Sequence, residues 1–152
     1  MRIGIEEINA TIPIAVNTSN SVIYQKNPST FTPPTLSFSS VKLEGNASAT
    51  PITNEVRMFL YARHTDPSTD ASCTSSGTLY FCPNSGQKKI NTTVIVLSSG
   101  GTKKSFAFDD ANNALRDAIN NGKIWLGIEV TSGAAVGLNL KLSELLSIVT
   151  LL

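Results

Sequence analysis

Along most of this chain apolar and polar side chains alternate with a period of two, and in one place the period lengthens to three or four. Ile8, Ala10, Ile12, Ile14 and Val16 alternate with Asn9, Thr11, Pro13 and Ala15, which predicts a strand with one apolar face. Pro13 has no N–H for a ladder, so this strand belongs at an edge or in an arm that pairs on one side only. Residues 22–24 form a brief second strand. Residues 26–35 hold Pro28, Pro33 and Pro34 among Ser and Thr, a composition that excludes helix and central strand and predicts an extended run over a surface. Residues 1–35 therefore read as an extended N-terminal arm with a proline-containing spacer, and residues 36–152 as one β-sandwich domain.

From Leu36 onward the strands come closer together. Leu36 and Phe38 share one parity while Val41 and Leu43 share the other, which places a bulge near Ser39 and Ser40. Residues 44–51 read as a turn. Val56, Met58, Leu60 and Ala62 alternate with Arg57, Phe59, Tyr61 and Arg63, and a strand largely apolar on both faces is central. After a polar loop come short strands at 78–82 and 90–97. Residues 106–131 then carry strand, helix and strand in succession. Phe106 and Phe108 share a side, and Asp109 is placed to cap the amides of a first helical turn. Ala111, Ala114, Leu115, Ala118 and Ile119 make an apolar stripe, Gly122 closes it, and Ile124, Leu126, Ile128 and Val130 alternate with Trp125, Gly127, Glu129 and Thr131. Leu138, Leu140 and Leu142 alternate again, and residues 145–152 are apolar almost throughout, an edge that needs cover. Eight or nine short strands with one helix at about 110–121 predict an all-β fold, an antiparallel sandwich of jelly-roll type.

Composition narrows the partners. The chain has 152 residues, a formal net charge of +1 and only 15% charged residues, against roughly 25% in typical soluble proteins. Nucleic acid is not an expected partner, because its binding draws on clustered Lys and Arg. There is no apolar run of about 20 residues, so no membrane span is expected. Glu6 and Glu7 stand where a signal peptide needs its apolar centre, so no secretory signal is visible: either a leader has been removed or there never was one, and Met1 favours the second reading. A polar, weakly charged surface points to a virion surface or an extracellular location.

Candidate chemistry is sparse. Cys73 and Cys82 bracket eight residues, a spacing that suits a disulfide closing a hairpin and an oxidising exterior. His64, Asp66 and Asp70 form a potential metal set, but Asp-Pro and Asp are also turn formers, and no metal or other cofactor is expected. Asp109 and Asp110 serve the helix start before any cation. Spacing alone leaves open a carboxylate pair for glycoside hydrolysis, because folding could bring any two of Glu44, Glu55 and Glu129 together; the expectation is a non-enzyme with no catalytic residues. Trp125 and Glu129 share one strand face, an aromatic beside a carboxylate, and so form a potential sugar-binding face. Asn9, Asn17, Asn46 and Asn91 each open an N-x-S/T triplet, but a chain this rich in Asn, Ser and Thr yields about three by chance.

A tethered amphipathic strand is suited to leaving its own domain and adding to a neighbour's sheet. Ile8, Ile12, Ile14 and Val16 are the expected assembly contacts, and the uncovered C-terminal edge is their receptor. In this layout of arm, spacer and sandwich the chain resembles the small β-sandwich decoration proteins that stabilise tailed-phage heads. The resemblance implies a homo-oligomer, a trimer or similar cluster, on a larger protein lattice. A fibre subunit polymerising by strand donation is the second expectation, and a carbohydrate-binding module using Trp125 the third.

Overall fold

The computed structural model of the chain describes residues 1–13, 20–52, 54–99 and 103–152. Its elements in order are β1 (Arg2–Gly4), β2 (Ile8–Thr11), β3 (Ser21–Gln25), β4 (Ser29–Thr30), β5 (Phe38–Thr50), β6 (Glu55–Arg63), a 3-10 turn (Pro67–Thr69), β7 (Thr74–Ser76), β8 (Leu79–Pro83), β9 (Ile95–Ser98), β10 (Lys104–Asp109), α1 (Ala114–Asn121), β11 (Lys123–Ser132) and β12 (Asn139–Leu151). They build two antiparallel sheets. The first runs β1-β12-β5-β10, with β2 beside β1 on the same side of β12; the second runs β7-β8-β3-β11-β6-β9, with β4 also on β11. One apolar core lies between them, drawing Leu43, Ala47, Leu140, Leu142 and Val149 from the first sheet and Met58, Leu60, Ile124 and Ile128 from the second. Leu115, Ala118 and Ile119 of the helix join it, as the stripe requires.

The free arm is corrected. Ala10 and Ile8 pair with Leu140 and Leu142, Arg2 and Gly4 pair with Ile148 and Leu146, and Ile3, Ile8, Ala10 and Ile12 all lie in the chain's own core. Burying each isoleucine is worth about 1.5–3 kcal/mol, so the strand leaves the sandwich only at a cost of several such terms. Ile14 and Val16 lie outside the described residues. The spacer is corrected too: β4 pairs with β11, and Phe31 N donates to Gly122 O at 3.1 Å. Residues 1–35 thus contribute strands to both sheets, and a division at residue 36 does not hold. The hydrophobic C-terminal strand is covered on both sides, by β1 and β2 and by β5.

The bulge near Ser39 is present, since Phe38 and Ser40 face the consecutive Leu151 and Thr150. A second bulge lies in β12 at Glu144, whose φ is +53°. Residues 44–50, expected as a turn, continue β5, because Ala47 and Ala49 keep the inward parity with small side chains. The helix begins at Ala114, later than expected. Asp110, not Asp109, satisfies its first turn: Arg116 N donates to Asp110 Oδ2 at 2.8 Å, while Asp109 ends β10. Burial holds the Asp110 carboxyl above its ordinary range. The helix ends at Gly122, φ +70°, where a Cβ would meet Phe31 O at 2.7 Å.

Asn91, 1% exposed, stands in for a strand beside β6. Its Oδ1 accepts from Leu60 N at 2.8 Å and its Nδ2 donates to Thr93 O at 2.7 Å. Asn91→Ala leaves the buried Leu60 amide without a partner and is expected to lower unfolding stability by about 1–3 kcal/mol. Urea denaturation of the variant against the parent chain checks this.

Candidate functional site

The outward face of a sandwich sheet is ordinarily wet, yet the outer face of the second sheet carries a core of its own. Val22 and Tyr24 of β3, Tyr61 of β6, Cys82 of β8 and Trp125 of β11 are buried together, with Phe59, Cys73 and Tyr80 packed against them. The opposite parity of β6 and β11 supplies Tyr61 and Trp125, so these two strands feed both cores. Gly127 makes room, since a Cβ there would come within 2.6 Å of the Tyr24 ring and of Val22 Cγ1.

Two segments roof this face. The first leads from the 3-10 turn into β7 and is tied down by a disulfide between Cys73 and Cys82. The second, residues 84–88, follows β8. Arg63 joins them: its Nε and Nη2 donate to Thr65 O and Oγ1 at 2.9 Å, and its Nη1 reaches Gln87 Oε1 at 3.3 Å and Asp70 Oδ2 at 3.5 Å. Tyr24 Oη donates to Gln87 Oε1 at 2.9 Å, and the guanidinium carbon lies 5.7 Å from the Tyr24 ring centroid. A cleft of about 170 Å³ opens beside Arg63, with Thr65, Asp70, Gln87, Lys88 and Asp117 among its walls. Several of its polar groups are paired with one another, Lys88 Nζ with Asp117 Oδ2 at 3.0 Å among them.

The candidate residues fall as follows. His64 lines this cleft. Asp66 caps the 3-10 turn through Ser68 N at 2.9 Å, and that bond holds its carboxyl below the usual range. Asp70 accepts from Ser72 Oγ and N at 2.6 and 3.0 Å, with the same effect. Among the described residues no three His, Cys, Asp or Glu side chains come together to hold a metal, and no helix is long and apolar enough to cross a membrane. Glu44 sits in the first sheet, Glu55 pairs with Arg57 at 2.7 Å, and Glu129 lies opposite Phe59, four residues along β6 from Glu55. The fold does not gather these three carboxylates.

The sugar face is corrected. Trp125 is 5% exposed, and its Nε1 donates to Lys26 O at 3.2 Å, because residues at the end of β3 pass over the indole. Glu129 is equally buried: Tyr61 Oη donates to its Oε1 and Asn84 Nδ2 to its Oε2, each at 2.7 Å. Neither offers an open surface to a ring. Arg63, Gln87, Asn84 and the two tyrosines were not singled out as site residues in the sequence; the second apolar parity of residues 57–63 was a signal for Tyr61 and Arg63, and Tyr24, Asn84 and Gln87 had none.

Comparison with known protein families, curated sequences and solved structures finds no match for this chain. The geometry is therefore the only guide to its role. It describes a roof tied to the sheet by the disulfide and by the Arg63 hydrogen bonds.

Burial pushes the Tyr24 phenol far above its usual range, and burial with the Glu129 hydrogen bond does the same for Tyr61. A folded pKa above the unfolded value, about 10, contributes stability that is intact below pH 10 and is lost as pH rises further. The melting temperature is expected to fall steeply above pH 10, with tyrosinate absorbance at 295 nm rising in step with unfolding. A Tyr24→Phe, Tyr61→Phe double variant checks this, because its melting temperature should lose most of that alkaline slope.

Proposed function

We propose that this protein is a non-enzymatic structural subunit of a symmetric assembly, of the kind that decorates and stabilises a virion surface, and that its sandwich is a jelly roll. The observation that carries the reading is the strand order. With β1 and β2 counted as one interrupted strand, β3 and β4 as another, and the β7–β8 hairpin set aside, eight strands remain. In chain order they lie 1-8-3-6 in the first sheet and 2-7-4-5 in the second. The pairs 1–8, 2–7, 3–6 and 4–5 are each neighbours, as in one long hairpin wound around a barrel. Eight-stranded rolls of this type build viral capsid and lectin domains. With Trp125 and Glu129 buried, the capsid side of that fold-level analogy has the better support.

The surface adds to this. Leu36 is 63% exposed, Leu151 40%, Leu152 86% and Met1 50%, and they gather at one end of the first sheet. Leu152 N donates to Ser37 O at 3.1 Å, Val149 N donates to Met1 O at 2.8 Å, and Leu151 pairs with Phe38. Leu146 and Ile148 lie half-buried on the outer face of the same strand. Grouped exposed apolar side chains of this kind mark a contact surface. The disulfide suits an oxidising exterior. Strand donation between fibre subunits has less support, because β1 and β2 fill the place beside β12 that a donor would take.

Sedimentation of the purified chain tests the reading. Particles several times the 16.2 kDa chain mass are expected, clearly reduced in mass by Leu36→Asp combined with Leu151→Asp. A parent chain that stays at 16.2 kDa at every concentration would overturn it.

A further inference from the structure

We propose that one assembly contact, besides the apolar end of the first sheet, runs through the open edge of β10, where a second copy of this chain adds its own β10 antiparallel across a two-fold axis. This rests on the subunit reading above and adds to it a two-fold contact that pairs subunits. The other edges are sealed or short. Along β2 the Gln25 side chain takes the place of a strand, with Asn9 N donating to its Oε1 and its Nε2 donating to Glu7 O, each at 3.1 Å. Just before it, Glu6 N donates to Ser29 Oγ at 2.9 Å. β7 has three residues and β9 four. β10 has six and, among the described residues, pairs only with β5.

Its register shows which amides are free. Lys104 stands opposite Ala47 and Asp109 opposite Lys42, and Asp110 N continues the ladder to Val41 O at 3.0 Å. Amides alternate in direction along an antiparallel strand, so the even-numbered residues turn theirs to β5, and Ser105, Ala107 and Asp109 turn theirs to the open edge. All three are exposed.

Charge selects the occupant. Lys103 and Lys104 open this stretch and Asp109 closes it. In a two-fold register centred on Phe106, Ser105 meets Ala107 of the other copy, and exposed Lys103 meets Asp109 of the other copy, twice by symmetry. Opposite charges across a strand pair attract and like charges repel, so a parallel alignment, which sets lysines against lysines, is disfavoured. On the inner side the register brings Phe106 to its counterpart and extends the Phe106–Phe108 stack, whose ring centroids are 5.3 Å apart. Lysines that would guard an edge against other strands match this strand's own reverse.

The test is sedimentation equilibrium of the full chain and three variants, with circular dichroism and melting to show that each is folded. Ala107→Pro removes an amide that β5 does not use, and Asp109→Lys sets two lysines against each other across the seam, besides losing the exposed pair with Lys42 at 3.9 Å in its own chain, a loss that the double variant shares. Each is expected to weaken association about tenfold or more. The Lys103→Glu, Asp109→Lys double variant restores the pairing in reversed sense and is expected to recover association to within about threefold of the parent, a recovery that a merely misfolded variant would not show. If the parent assembles and the three variants assemble equally well, the β10 contact is overturned while the subunit reading stands. A parent that never exceeds one chain overturns both.

Discussion

The ladder between the first and last strands is the constraint on which the rest of the molecule depends. β12 is thirteen residues long and strongly apolar, and left at an edge it would offer a template to any other strand. β1 and β2, from the opposite end of the chain, lie along one side of it, and β5 along the other. This pairing completes the first sheet and buries Ile3, Ile8, Ala10 and Ile12 against the second. It also spans almost the whole chain, so the sandwich is closed only when both ends have been placed.

Once the first sheet is complete, the two sheets differ in how they treat their outer faces. The first presents a mixed face, with Asn, Ser and Thr beside Lys42, Lys141, Leu146 and Ile148, in which Asn139 Nδ2 donates to Asn9 Oδ1 at 2.7 Å and Ser105 Oγ donates to Asn46 Oδ1 at 2.8 Å. The second covers its face with a roof held by the Cys73–Cys82 bond and by Arg63. One face is thus available for contact and the other is internally finished. That asymmetry suits a subunit that meets its neighbours through one sheet.

The same asymmetry bears on chemistry. The polar groups under the roof satisfy one another: Glu129 takes Tyr61 and Asn84, Gln87 takes Tyr24 and Arg63, and Asp70 takes Ser72 and Arg63. A network closed in this way rigidifies its surroundings. Its contribution is to hold the β7–β8 hairpin against the sheet.

Much of this was legible in the residues. Two-residue alternation located the strands, glycine closed the helix, the spacing of Cys73 and Cys82 suggested their bond, and the parity change after Phe38 located a bulge. Each of these depends on neighbours within a few positions. The arm was misread because alternation reports that a face must be buried and does not name the surface that buries it: Ile8 and Ile12 find theirs beside Leu142 and Leu138, at the far end of the chain. Trp125 and Glu129 were misread for the same reason, since period two puts them on the outer face, and only the folded path of residues 26 and 84 decides that this face is covered. The sequence by itself determined which side chains share a face. The tertiary structure decided what each face meets, because long-range pairing is set by the free energy of closing both sheets together and leaves no local pattern.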